Sequence, residues 1–300
     1  MNMRFALTVA YLCAQLSLAL AQDFSKVKIQ PTELVPNTAW FLKGSGGNML
    51  LLKSDKEVLL VDDQYRPLSE RIDSTIQSLT QGIRPQNVLN THWHFDHTGG
   101  NAYFSQYATL IAHTNAKKRL ETGQDIKFYN TSIPAANPKD LPKTLIDSVK
   151  RMQIGSIEIE LWHPKSAHTD GDLIVFIPSL NIVHMGDCFF SAMYPFIDLE
   201  SGGSPSGLIK TLEYVISRVN SDTQIIPGHG PVANVSQLKE FKNMLQQIGH
   251  HVLANKALGK DKIAELAVFD AIDAKWGGSF IVKKHIIGFF YDELVSQINR

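Results

Sequence analysis

Residues 91–101, Thr-His-Trp-His-Phe-Asp-His-Thr-Gly-Gly-Asn, limit what this chain can fold into more than any other segment. Three imidazoles and one carboxylate fall within His92–His97, just after an apolar run that reads as the end of a buried strand (Val88-Leu89-Asn90). Loops favour Gly, Asn, Asp and Ser for conformational reasons, and dense histidine has no such reason. Imidazole and carboxylate are the ligands that a borderline cation such as zinc takes. Four of them in one turn make sense when they converge on a shared centre. That calls for a framework that holds several loops rigidly together.

Four other places in the sequence offer partners. His168 sits in Ser166–Asp172, just before a strand pattern. Asp187 closes His184-Met185-Gly186-Asp187, at the end of another. His229 lies between Gly228 and Gly230, directly after Ile225-Ile226. Asp62 and Asp63 follow Leu60-Val61. Every candidate ligand thus falls at a strand end, where layered α/β folds place their chemistry.

The wider pattern agrees. Strands are predicted at Met49–Leu52, Val58–Val61, Val88–Leu89, Thr109–Ala112, Ile157–Trp162, Leu173–Ile177, Ile182–Met185 and Gln224–Ile226. Helical spacing predicts helices at Leu68–Leu79, at Leu208–Val219 with Ser206 as cap, from Leu238 to near Gly259, and over Lys283–Ile298. Strands alternating with helices give an α/β architecture whose helices cover sheet faces. Residues 121–148 hold Pro134, Pro138 and Pro142 and read as an insertion crossing the surface, a candidate rim for a cleft. With no repeat, low-complexity tract or linker, one domain from about residue 22 to 300 is expected.

Apolar residues make up 44% of the chain and the formal charge is zero, so a sizeable core is available and there is no basic footprint for nucleic acid or anionic lipid. Met1–Arg4 carries one positive charge, Phe5–Leu20 is almost wholly apolar or small and uncharged, and Ala19-Leu20-Ala21 offers small residues for cleavage. Residues 1–21 therefore read as a secretory signal cut before Gln22, too short for a membrane span of about 20 apolar residues. A periplasmic or secreted protein with no lasting membrane anchor is expected. Its mature part would keep one cysteine, Cys188, and no internal disulfide.

In order and spacing, His92-x-His94-x-Asp96-His97 followed by His168, Asp187 and His229 resembles the metallo-β-lactamase superfamily, over about residues 36 to 235. The resemblance implies a four-layered αβ/βα sandwich, two mixed sheets with outer helices, and a two-metal site between the sheets. Carried over by position, His92, His94 and His168 would hold one zinc ion, and Asp96, His97 and His229 the other. Asp187 would bridge the pair, and Asp62 would orient the ligand loop from behind. Seven ligands are too many for one tetrahedral ion, and three per zinc leave room for water or substrate. Gly99, Gly100, Gly228 and Gly230 would let backbone pass close to the metals.

The implied chemistry is hydrolysis of an amide or lactam, lactone or thioester of a small-molecule substrate by a metal-bound hydroxide, with Asp96 as the catalytic carboxylate aiming it. Asp187 stands where β-lactam-opening relatives often carry Cys or Ser, a departure that brings lactonases and glyoxalase II-like thioesterases into view. Iron or manganese in place of zinc, an iron-dependent redox enzyme, and a non-catalytic metal binder are alternatives on the same scaffold. Cys188 is expected to turn away from the metals as a packing thiol. Trp93, Tyr194 and Phe196 are candidate substrate contacts, with Tyr194 a candidate oxyanion donor. His113, His163 and His184 read as satisfied structural histidines, and His250 and His251 as helix-surface residues.

Overall fold

The computed structural model describes residues 23–298; the segment read as a secretory signal, with Cys13, lies outside them. The first sheet has the order β1-β2-β3-β4-β5-β6-β9: β1 (Gln30–Val35), β2 (Ala39–Lys43), β3 (Met49–Ser54), β4 (Glu57–Val61), β5 (Asn87–Leu89), β6 (Thr109–His113) and β9 (Thr144–Ile146). The second has the order β10-β11-β12-β13-β14: β10 (Val149–Ile154), β11 (Ile157–Trp162), β12 (Ile174–Ile177), β13 (Ile182–His184) and β14 (Gln224–Ile226). β7 (Gln124–Ile126) and β8 (Thr131–Ile133) form a separate antiparallel hairpin.

Both faces of the central strands of each sheet are covered, which is why those strands read as continuous apolar runs rather than alternating ones, whereas the edge strands β1 and β10 are largely exposed. In β3 and β4, Leu50, Leu52, Leu59 and Val61 point inward. There they meet Ile159, Leu161, Val175 and Ile226 of the second sheet. Leu51, Val58 and Leu60 point outward and pack on Ile72 and Ile76 of the helix Ser69–Thr80. The outer face of the second sheet, with Phe176, Val183 and Ile225, packs on Leu208, Leu212, Leu238 and Phe241 of the helices Pro205–Arg218 and Val235–Ala254. Each fully buried Leu or Ile contributes about 1.5–3 kcal/mol, so the layered order helix, sheet, sheet, helix follows from having three apolar interfaces to bury. No helix among the described residues is long and apolar enough to cross a membrane.

Register decides where the loops emerge. β4 pairs with β5 in parallel, Val61 opposite Leu89. β13 pairs with β14 in parallel, His184 opposite Ile226. The loops after these four strands therefore leave from matched strand ends, carrying Asp62, His92–His97, Asp187 and His229.

Residues 121–148 are more ordered than the sequence suggests. They hold the β7–β8 hairpin, and β9 joins the first sheet in parallel with β6, Ile111 opposite Thr144. Three prolines masked these short strands. Strands β1, β2 and β10, absent from the sequence reading, extend the two sheets.

Candidate metal centre

Asp62 sets the shape of the ligand loop. It holds a left-handed backbone conformation (φ 61°) at the end of β4, and its side chain is fully buried. Its Oδ1 accepts from the Thr91 N–H at 2.7 Å. Its Oδ2 accepts from the Thr91 hydroxyl at 2.8 Å and from His97 Nδ1 at 2.7 Å. This carboxylate fixes the start of the loop and leaves His97 Nε2 as the free ring nitrogen, the usual device by which a carboxylate orients a ligand histidine. The neighbouring Asp63 is buried as well and accepts from the Gly100 N–H at 2.8 Å, pinning the far end of the loop.

Two groups of candidate ligand atoms result. His92, His94, His168 and Asp187 form one, all within 4.8 Å of one another; Asp96, His97 and His229 form the other within the same limit. His94 Nδ1 lies 3.1 Å from His92 Nε2 and 2.9 Å from His168 Nε2. Asp187 faces both groups. Its Oδ2 is 3.8 Å from His92 Nε2 and 3.6 Å from His168 Nε2. Its Oδ1 is 3.1 Å from His97 Nε2 and 3.5 Å from His229 Nε2. Asp96 Oδ2 is 3.3 Å from His229 Nε2 and 3.7 Å from His97 Nε2.

The donor set fits divalent cations. Asp187 Oδ1 and His97 Nε2 are buried polar atoms without a hydrogen-bond partner among the described residues. Orphans of that kind are costly unless an ion or water meets them. Backbone makes room for them at two glycines. A Cβ on Gly228 would stand 1.9 Å from Asp187 Oδ1, and one on Gly47 would stand 2.1 Å from His97 Cε1. Of the four glycines singled out in the sequence, only Gly228 abuts a ligand this way; Gly99, Gly100 and Gly230 approach Gln64, Asp63 and Ser191 instead.

Charge in the protein alone is strongly coupled. Burial would push the His97 ring down, but Asp187, Asp96 and Asp62 crowd it and hold it well above the imidazole range. His229 is raised to about 9, its burial outweighed by Asp187 and Asp96. His168, more deeply desolvated, is lowered to about 4. Burial would raise the Asp187 carboxyl, yet His229 and His97 keep it well below the carboxylate range.

A further carboxylate escaped the sequence reading. Asp198 Oδ2 accepts from His94 Nε2 at 2.9 Å, so His94 presents Nδ1 to its group. Despite burial, His94 holds the Asp198 carboxyl down at about 2. His168 is oriented in turn by Nδ1, which donates to the Phe196 carbonyl at 2.9 Å. Nothing in the spacing marks Asp198, although it stands two residues after Phe196, one of the candidate substrate contacts.

Above the ligands lies a cleft of about 340 Å³, lined by Ser45, Tyr65, His94, Phe95, Asp96, Ile126, Tyr129, Asp187, Phe196, His229 and Phe280. Phe196 is in it as expected. Trp93 and Tyr194 are not, and this corrects the sequence reading: both are fully buried in the core beneath the second sheet's outer layer. Trp93 packs behind His94, with ring centroids 4.6 Å apart. Tyr194 faces Asp273, which, after burial, raises its phenol. Tyr65, Tyr129 and Phe280 line the cleft instead.

His184, outside the two groups, is satisfied within the fold. His184 Nε2 donates to the Asn48 carbonyl at 3.2 Å, and its Nδ1 accepts from the Gly186 N–H. Cys188 is buried as expected, but for a different reason. Gly186–Cys188 is a 3-10 turn rather than strand, and the thiol reaches Asp172 Oδ2 at 3.5 Å.

Comparison with known proteins agrees with this geometry. The metallo-β-lactamase superfamily profile matches residues 42–229. A metallo-β-lactamase type 2 of Bacillus cereus is 24% identical over 208 residues, covering 66% of this chain and 73% of its own. A probable hydroxyacylglutathione hydrolase of Schizosaccharomyces pombe is 27% identical over 197 residues, covering 63% of this chain and 66% of its own. Among solved structures, a metallo-β-lactamase from Pontibacter korlensis superposes with a TM-score of 0.60 at 17% identity, over 73% of this chain and 99% of that one. With the profile spanning most of the sheets and every candidate ligand position, the chain belongs to the metallo-β-lactamase superfamily and is one of its metal-dependent hydrolases.

Proposed function

We propose that this protein is an exported hydrolase that uses two zinc ions to open the carbonyl of an amide or lactam, a lactone or a thioester. The observation that carries this reading is the Asp187 carboxylate, with one oxygen toward His92 and His168 and the other toward His97 and His229. His92, His94 and His168 would hold one cation, Asp96, His97 and His229 the second, and Asp187 both. Bound there, the cations supply an acidified water and a Lewis acid for the scissile carbonyl.

The chain's own residues do the rest. Asp62 and Asp198 lock the His97 and His94 tautomers, so that each ring offers its lone pair inward. Asp96 sits at the cleft floor; burial would raise its carboxyl, but His97 and His229 hold it low, so it is ionised at neutral pH. There it accepts a hydrogen bond from the attacking water and aims the oxygen at the carbonyl carbon. Burial and the charges of Asp96 and Asp187 push the Tyr65 and Tyr129 phenols up, so both keep their protons for donation to substrate oxygen.

The test is a hydrolysis panel on zinc-loaded mature protein: a chromogenic cephalosporin, an acyl-homoserine lactone and a thioester. At least one is turned over, and His94→Ala and Asp96→Ala each lower kcat/KM by about 10³-fold or more while circular dichroism stays native. Wild-type-like turnover in either variant refutes the roles of His94 and Asp96. Elemental analysis separates the redox alternative, since iron is coloured and zinc is not. Export rests on the apolar stretch Phe5–Leu20, and a recovered protein whose mass does not begin at Gln22 contradicts it.

A further inference from the structure

A short glycine loop lies against the Asp96–His97–His229 group. Residues 44–47, Gly-Ser-Gly-Gly, lie between β2 and β3. Glycine loses more conformational freedom on folding than any other residue, so such a loop does not fix its own shape. Here Gln64, fully buried, imposes it. Gln64 Oε1 accepts from the Ser45 and Gly46 N–H groups at 3.1 and 3.3 Å, and its Nε2 donates to the Gly47 carbonyl at 2.6 Å. Only one orientation of the amide satisfies all three bonds. A Cβ on Gly44 would stand 2.3 Å from Gln64 Oε1, so the amide fills the space a side chain there would take. The Gln64 carbonyl accepts from the Gly100 N–H at 3.2 Å, at the far end of the ligand loop.

Held this way, the segment touches that group from two sides. The Gly47 N–H donates to the Asp96 carbonyl at 3.0 Å. Gly46 passes so close that a Cβ there would stand 3.1 Å from Asp96 Cβ, and Gly47 abuts the His97 ring. The next residue, Asn48, is 3% exposed and reaches the turn that carries His229. Its N–H donates to the Gly228 carbonyl at 2.7 Å, and its Nδ2 to the Pro227 and Gly230 carbonyls at 2.9 Å each. The other three histidines take their orienting contacts elsewhere: His92 from the Thr91 hydroxyl, His94 from Asp198 and His168 from the Phe196 carbonyl.

From this we propose that Gln64 and Asn48 are positioning residues that assemble the Asp96–His97–His229 group and leave the His92–His94–His168 group unaffected. Both act through backbone. Gln64 shapes the loop that backs Asp96 and His97, and Asn48 clamps three carbonyls around His229. The proposal rests on the two-cation reading above and says how one of the two places is built. The two side chains join a loop of the first sheet to a turn of the second, so the Asp96–His97–His229 group depends on this strap for its geometry.

Gln64→Met keeps the length of the side chain without its three bonds, and Asn48→Ala removes the clamp from the other end. Competition between the mature chain and a chelating dye for zinc gives two stepwise constants. In each variant one constant weakens by about tenfold or more, the scale of losing an orienting partner, while the other stays within about twofold. Cadmium-113 NMR assigns the affected place, because three imidazoles with one carboxylate resonate apart from two imidazoles with two carboxylates; only the oxygen-richer signal is lost or broadened. A third readout needs no metal. In zinc-free protein the ring resonances of His97 and His229 broaden in both variants, while those of His92 and His168 keep their positions. Equal weakening of both constants overturns the proposal. So does a lowered urea stability with both constants unchanged, which leaves the two residues a purely structural role, and so do His97 and His229 resonances that match wild type. Wild-type protein that binds a single zinc ion refutes the two-cation reading instead, and the ring resonances alone then decide the proposal. If one variant fails to fold, the other carries the test, since it reaches the same group from the opposite side.

Discussion

Asp62→Asn separates the electrostatic role of this residue from its backbone role. The position is left-handed, and asparagine is among the few residues other than glycine that tolerate such a backbone, so the turn survives. Asn Oδ1 can keep the bond from Thr91 N–H. The amide group, however, replaces Oδ2, which accepts from both the Thr91 hydroxyl and His97 Nδ1. Donor then faces donor at two bonds. Each falls from a charge-assisted bond of about 1.5–3 kcal/mol to at best a neutral one of about 0.5–1.5, for a total loss of roughly 2–3 kcal/mol. To relieve the clash His97 must carry its proton on Nε2, the atom that faces Asp187, and can no longer present a lone pair there. Losing such an orienting partner lowers metal affinity about 10–100-fold. Competition with a chelating dye measures the zinc affinity, and urea denaturation of zinc-free protein measures the stability. Zinc affinity within twofold of wild type, alongside a lowered stability, would refute the tautomer argument and leave Asp62 as a loop anchor only.

Two other outcomes follow from particular contacts. Gly228→Ala places a Cβ where Asp187 Oδ1 now stands, so the carboxylate must swing away; activity falls at least 100-fold with a native circular dichroism spectrum, and retained activity contradicts the bridging geometry. His113 and His163 stack with centroids 3.6 Å apart, and burial with the neighbouring ring holds His113 at about 4. An unfolded histidine titrates near 6.5, so below that pH the unfolded chain binds more protons than the folded one. The stabilisation is complete above about pH 6.5 and is lost as the pH falls toward 4, about 2 kcal/mol by pH 4.5 after allowing for the part-exposed partner ring. His113→Gln removes this limb from the stability profile; a difference from wild type that does not change with pH would dismiss it.

The clustering of the candidate ligands could be read from the sequence because their residue types are chemically unusual and sit at strand ends, where register forces them together. The last helix, Lys283–Ile298, was also expected. The cleft was not legible in this way. Tyr65, Tyr129 and Phe280 come from three segments far apart in the chain, and an aromatic residue is ordinarily a core residue. Trp93 looks like a wall residue only because it stands between candidate ligands, and Tyr194 only because it follows Asp187 within seven residues; in a tight turn, adjacency carries a side chain under the site as readily as over it. Cys188 was expected to turn aside by strand alternation. It lies in a 3-10 turn, and its burial comes from packing against Asp172. Short strands such as β9 are hidden because tertiary pairing, rather than local propensity, holds three residues extended.

His92–His97 grow from the sheet that contains β5, whereas His168, Asp187 and His229 grow from the sheet that contains β12, β13 and β14. Cations shared between these groups would sit astride the seam of the sandwich and act as a rivet. Anything that loosens one half from the other, even far from the cleft, would then appear first as weaker zinc retention, making metal off-rate a sensitive gauge of how firmly the two halves are docked.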